Sequence, residues 1–255
     1  MAIAGSEVTP RSSLERAARV LDVLNGAGPL TLTEVVRRSG LPRSTTHRML
    51  EKLVDMHWLT RDANTYRVGL RMFELGSLVS QEHQARKASL PFLHELHRAT
   101  GLVVHLAVRD GVDVVHLERI GGRPLSPIGR IGGRLPANCT SLGKVLLAYG
   151  ERLAPESTPL VRLTARSITD PAALQEELAR VRERGYAVSR DEAVVGVSCL
   201  AVPVRGPHEA AVGAISVGGP TSSFRPDMVV ASVREAAQRT YRHMQSAGAA
   251  MPVCR

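Results

Sequence analysis

Ser141-Leu142-Gly143-Lys144 sets a hydroxyl one helical turn ahead of an amine, the Ser-x-x-Lys spacing in which a lysine activates a serine nucleophile for acyl transfer. That machinery needs further partners, and the chain contains neither Lys-Thr-Gly nor Ser-Asp-Asn. A hydrolase using Ser141 and Lys144 therefore stands only as the enzyme alternative. The same stretch fails as a phosphate loop, because Val145 replaces the hydroxyl residue and no glycine stands five before Gly143. His94-Glu95-Leu96-His97 is not a zinc-protease motif: its histidines are three apart, and a solvated helix face is the plainer reading. Asp191-Glu192, just ahead of Gly196, can hold a metal or cap a turn, and the turn is favoured. Cys139, Cys199 and Cys254 show no paired spacing, which argues against a disulfide framework or a zinc knuckle and fits a reducing cytoplasm. Neither metal, cofactor nor catalysis is expected.

The other chemistry-bearing group is a polar, mostly basic face. If a helix opens at Leu41-Pro42, where proline suits a first turn, Thr46, Met49, Leu50 and Leu53 form its inward stripe. Arg43, Ser44, Thr45, His47, Arg48, Glu51 and Lys52 then point outward. Three preceding features position that face. Leu14, Ala17, Ala18, Leu21 and Leu24 fall at helical spacing until Gly26. Thr31-Leu32-Thr33-Glu34 reads as a capping box that starts a second helix, and Gly40 ends it. After the third helix, Trp58–Arg61 and Tyr66–Val68 alternate around Asp62-Ala63-Asn64-Thr65, a hairpin. Helix, helix, turn, helix and hairpin in that order predict a winged helix-turn-helix over residues 14–69. Its partner is a double-stranded DNA operator, because only the major groove admits a helix. Arg48 offers a bidentate fork to guanine, Arg43, Ser44 and Thr45 reach bases and phosphates, and Arg61, Asn64 and Arg67 of the wing meet backbone or the adjacent minor groove.

Residues 1–13 read as a disordered tail without the apolar core of a signal peptide, and 70–87 as a linker helix. From 88 to 247 strands and helices mix: strands at 103–108, 112–119, 186–189, 197–204 and 212–217, helices at 88–100, 140–149, 172–184 and 226–246. Sustained β-α-β alternation is missing, which predicts an α+β sensor domain rather than a doubly wound sheet. Residues 248–255 form a tail. Thr140 to Gly143 open a helix directly after an extended Gly-rich segment, so free N–H groups there can hold a carboxylate, its apolar body against Leu142 and Leu200. Arg130 and Arg134 can add countercharge or lie as surface arginines.

Composition agrees without deciding the matter. The net charge is +9, but residues 1–80 hold 11 basic and 8 acidic side chains, a net of +3, so +6 lies elsewhere. Only three of the 33 basic residues are lysine, and a coding bias toward arginine accounts for part of the excess. No run of ~18 apolar residues exists to span a membrane.

Leu41-Pro42-Arg43-Ser44-Thr45-Thr46-His47-Arg48-Met49-Leu50, Leu135-Pro136-Ala137-Asn138-Cys139-Thr140-Ser141-Leu142-Gly143-Lys144 and Gly196-Val197-Ser198-Cys199-Leu200-Ala201-Val202-Pro203-Val204 stand in the order found in IclR transcription regulators. From Leu14 to Gln245 the chain resembles that family. The resemblance implies a homodimer or homotetramer, a C-terminal GAF-like effector domain, and control of an operon as repressor or activator by a small metabolite, often an organic acid. In that family the effector is surrounded by segments that map here to Ser141, Leu142, Ser189, Cys199, Ser216 and Gly218. Ser189 stands where some members carry an acid, and Gly218 where a second serine is common. The effector of a characterised member therefore does not transfer.

Overall fold

The computed structural model describes residues 12–122, 129–150, 160–206 and 210–246. Most of the expected N-terminal tail and all of 248–255 lie outside them. Contacts gather in two compact units that divide between Glu82 and His83.

The first helix begins one residue before the expected start at Leu14. Ser12 caps α1 (Ser13–Leu24) in a box with Glu15: Ser12 Oγ accepts from the Glu15 N–H at 3.1 Å and the Glu15 carboxylate accepts from the Ser12 N–H at 3.2 Å. Thr31 and Glu34 build the predicted box at the start of α2 (Leu32–Ser39), with the Thr31 N–H donating to Glu34 at 2.8 Å. Hydrogen bonds from the Thr31 backbone and hydroxyl hold the Glu34 carboxyl below its ordinary range. The helix α3 (Arg43–Asp55) starts at Pro42, and β2 (Leu59–Asp62) and β3 (Thr65–Val68) form the hairpin. A two-residue strand β1 (Leu30–Thr31) pairs with β3, giving the order β1-β3-β2. Val20, Val35, Leu50, Leu59 and Tyr66 close a small core, each fully buried side chain contributing about 1.5–3 kcal/mol. The expected linker over 70–87 is helical on both sides of a break: α4 (Leu70–Glu82) ends before His83, and α5 (Gln84–Thr100) begins after it.

The second unit is an antiparallel sheet in the order β6-β5-β4-β9-β8-β7. Its strands are β4 (Val103–Asp110), β5 (Asp113–Ile120), β6 (Arg134–Pro136), β7 (Ala187–Arg190), β8 (Val197–Arg205) and β9 (Ala211–Pro220). One face carries Val104, Leu106, Leu200, Val202, Ile215 and Val217 and packs against α5 and α8 (Pro226–Ser246). The other carries Ala107, Ala187, Ala201 and Ala214, and these small side chains let α6 (Ser141–Tyr149) and α7 (Pro171–Arg184) come down on it. An α+β sensor fold with an N-terminal winged helix-turn-helix is what the patterning implied. Among the described residues no helix is long and apolar enough to cross a membrane.

In β5 the register slips: Leu106 pairs with Glu118 but Ala107 with His116. The extra residue, Leu117, is a β-bulge that shifts the phase of side-chain alternation. His116 and Arg119, which a period of two would send to opposite faces, both reach the face beneath α6.

Candidate functional site

The N-terminal turn of α3 presents Arg43, Ser44 and Arg48 to solvent and half-buries Thr45. Thr46 stays inside, its hydroxyl donating to the Pro42 carbonyl at 3.1 Å. Arg43 reaches Thr33 Oγ1 at 3.4 Å, whereas Arg48 has no ion-pair or hydrogen-bond partner among the described residues. The wing differs. Arg61 donates to Glu51 at 3.2 Å and to the Ala63 carbonyl at 3.2 Å, and Arg67 donates to Asp62 at 2.6 Å. Asn64 sits exposed at the hairpin tip. The candidate residues thus fall into an uncompensated helix turn and a wing whose cations are already matched by acids.

In the second unit, Ser141, Leu142, Ser189, Cys199, Ser216 and Gly218 come together around one cavity of about 660 Å³, counted out to its open mouth. Its floor is the sheet. Ser189 pairs with Cys199, Cys199 with Gly218, and Ser216 with His105 across adjacent strands. Its roof is the start of α6, where Thr140 Oγ1 accepts from the Gly143 N–H at 2.9 Å. Gly143 is required there: a Cβ would lie 2.1 Å from the Ala137 carbonyl oxygen of the 3-10 turn Ala137–Cys139. Gly218 is required too, since a Cβ would lie 2.7 Å from Cys199 Sγ. The serine common at that position in the resembled family would therefore collide with the cysteine.

Ser141, Ser189 and Ser216 are 1%, 5% and 1% exposed as residues and line the cavity, and their hydroxyls have no hydrogen-bond partner among the described residues. A ligand in the cavity can exchange hydrogen bonds with these hydroxyls, each of which both donates and accepts. Burial pushes the Cys199 thiol up to about 12, which makes it a small wall residue and no nucleophile.

Sequence reading missed the nitrogen-bearing side chains of the lining, His105, His116 and Arg119. The His105 and His116 rings meet edge to face, 5.0 Å between centroids. Burial, with His116 alongside, takes His105 down to about 3, and burial lowers His116 as well. Both rings are neutral near pH 7. Two expectations are corrected here. Arg134 lies outside the lining and binds Asp110 at 2.5 Å and Asp113 at 3.4 Å, and Arg130 is not a lining residue either. Leu200 faces the opposite side of the sheet, in the core under α8, so the apolar wall is Leu135, Leu142, Val194 and Val197.

Lys144 is 1% exposed. Its ammonium donates to the Val188 carbonyl at 2.7 Å and to Glu192 at 2.8 Å, with Glu177 at 3.5 Å. Burial raises the Glu192 carboxyl despite Lys144; for Glu177 burial acts upward too, but Lys144, Arg184 and Arg180 together bring it below its ordinary value. Among the described residues no hydrogen bond joins Lys144 to Ser141, so the geometry lends no support to the Ser-x-x-Lys alternative. Glu192 is this counterion and Asp191 a turn cap, accepting from the Gly196 N–H at 2.7 Å and from the Thr221 hydroxyl at 2.8 Å. Among the described residues no group of three or more His, Cys, Asp or Glu could hold a metal ion.

Residues 13–63 match the IclR helix-turn-helix domain, and residues 78–242 match the bacterial transcriptional regulator IclR C-terminal domain. The HTH-type transcriptional regulator XynR of Escherichia coli K12 is 35% identical over 235 residues, covering 89% of this chain and 93% of the relative. The transcriptional repressor IclR of the same organism is 30% identical over 237 residues, covering 85% and 83%. Among solved structures, an IclR homologue from Microbacterium hydrocarbonoxydans complexed with 4-hydroxybenzoate superposes with a TM-score of 0.78 at 30% identity, covering 92% of this chain and 100% of that one. Thermotoga maritima IclR gives a TM-score of 0.71 at 25% identity, with 91% and 98% covered. The chain belongs to the IclR family of transcription regulators, DNA-binding proteins controlled by small-molecule effectors.

Proposed function

We propose that Arg43, Ser44, Thr45 and Arg48 of α3 enter the major groove of the operator, that Arg61, Asn64 and Arg67 meet backbone or the adjacent minor groove, and that a small carboxylate in the cavity controls this binding. Three serine hydroxyls with no hydrogen-bond partner among the described residues, lining a cavity with no acidic side chain among its described lining residues, carry the effector reading. The carboxylate sits at the α6 N-terminus, where free amides and the helix dipole favour an anion, and its apolar body lies against Leu135, Leu142 and Val194. The 4-hydroxybenzoate held by the Microbacterium homologue is an acid of this kind and supports the same ligand class. The chain works as a homodimer or homotetramer in the cytoplasm, where its operator is. The ligand must bind the DNA-competent and DNA-incompetent states with different affinity, since otherwise it shifts nothing.

The test is Ser141→Trp, which fills the cavity at the roof. Fluorescence anisotropy on DNA from upstream of the chain's own gene should show operator affinity within about twofold of wild type, and a screen of small organic acids should no longer release it. A folded Ser141→Trp protein that still responds to an acid at the wild-type concentration overturns the placement of the effector.

A further inference from the structure

The histidine end of the cavity has a fixed hydrogen-bonding polarity. His105 Nε2 lies 3.2 Å from the Gly129 carbonyl, and His116 Nδ1 lies 3.2 Å from the Gly133 carbonyl. A carbonyl only accepts, so those nitrogens carry the protons and each neutral ring keeps its second nitrogen bare. His105 Nδ1 and His116 Nε2 have no protein partner among the described residues, and both rings line the cavity. The two imidazoles thus offer lone pairs to whatever occupies the space beside them. A carboxylate there meets the lone pairs of both neutral rings, and among the described lining residues the attraction at that end comes from Arg119 alone. Protonation is opposed by burial, by the neighbouring ring, and by Arg119, whose guanidinium lines the same end and donates to the Gly122 carbonyl at 2.7 Å. The titratable groups lining the cavity are His105, His116, Arg119 and Cys199. None of them is an acid.

His105 lies on β4, beside β9, and His116 on β5, one strand further out.

Resting on the effector reading of this cavity, we propose that the effector is an acid bearing, besides its carboxylate, a hydrogen-bond donor, a hydroxyl or amine N–H, which His105 Nδ1 and His116 Nε2 receive. Specificity follows from polarity. A site with bare acceptors selects a ligand that brings protons to them and disfavours one that brings lone pairs, because each unmet or opposed group carries a desolvation cost.

Calorimetry on the full chain with matched acids tests this: benzoate and its three monohydroxy isomers, and butyrate, 4-hydroxybutyrate and succinate. One hydroxy member of a set should bind roughly tenfold or more tighter than its plain and dicarboxylate counterparts. Its binding enthalpy at pH 7.5 should agree between phosphate and Tris buffers, showing that no proton is taken up. His105→Phe, which removes one acceptor, should bring hydroxy and plain acids to within about threefold. His116→Gln, which keeps an acceptor near the place of Nε2, should retain most of the preference. If His105→Phe does not fold, the wild-type panel and proton count decide alone. Plain acids binding as tightly as hydroxy acids, or uptake approaching one proton, overturn the donor rule while leaving the effector cavity in place. Binding by no member at millimolar concentration overturns the rule and the carboxylate reading together.

Discussion

His105 and His116 tie the cavity to the stability of the second unit. Burial is the larger cause of the lowered affinity of both rings for a proton, taking His105 to about 3. The unfolded chain takes up these protons near pH 6.5, and the folded chain does not. The histidine contribution is therefore complete above pH 6.5 and is lost as pH falls toward 3, at up to about 1.4 kcal/mol per pH unit for each ring. Urea unfolding at pH 7.5, 6.5 and 5.5 should show that decline below 6.5, and His105→Phe should make it shallower by roughly one ring's share. Equal slopes in the two proteins would show that His105 is not held neutral by the fold. No sequence rule pointed to these histidines. Spacing along β5 separates His116 from Arg119, and only the bulge at Leu117 reunites them. Ser141, Ser189, Cys199 and Ser216 were legible because a motif resemblance placed them, and Gly218 proves to be coupled to Cys199 by contact.

At the scale of elements, what carried a periodic or capping signal was readable and what was shorter than a period was not. The capping box at Thr31, the inward stripe of α3 and the strand alternation of β8 and β9 each repeat a rule over several residues. The strands β1 and β6 and the 3-10 turn have two or three residues each, too few to show a period. The proposed DNA-binding elements differ in how their charge is disposed. Arg48 on α3 is uncompensated, while Arg67 on the hairpin is held by Asp62 at 2.6 Å. An exposed pair of this kind is worth little to stability, but its acid repels phosphate. Arg48→Ala should lose roughly 1–3 kcal/mol on operator DNA and relax the preference at one base pair. Asp62→Asn should instead tighten operator and random DNA alike, roughly threefold to tenfold at low ionic strength and less in high salt. Anisotropy titrations on both DNAs at two salt concentrations separate these effects. Equal losses on both DNAs for Arg48→Ala would remove it from base contact, and no gain for Asp62→Asn would show that the hairpin stays clear of the phosphates.

The whole molecule is a pair of units that divide between Glu82 and His83, where α4 ends and α5 begins. The expected linker helix over 70–87 is thus two helices, and Arg86, in the first turn of α5, pairs with Glu118 at 2.8 Å and donates to the Leu117 carbonyl at 3.3 Å. The first unit has its own unsettled surface. Along α4, Leu70, Phe73, Leu78 and Val79 are 70%, 71%, 55% and 62% exposed. Isolated apolar side chains on a surface are ordinary, but this many on one helix mark an interaction face. The proposed dimer brings two recognition helices to paired half-sites, and in that reading a second copy of α4 is the cover. Phe73 and Leu78 stand five residues apart, on different sides of α4, and replacing both with glutamate would place charge on two sides of that helix without touching the core built on Val20, Leu50 and Leu59. Sedimentation velocity should show wild type as a dimer or larger, and the Phe73→Glu, Leu78→Glu variant with a smaller assembly or a weaker dimer. Operator affinity should fall with it, by at least roughly tenfold, because a half-site bound alone loses the gain from linked binding. If the double variant keeps both its sedimentation coefficient and its operator affinity, α4 is not where the copies meet.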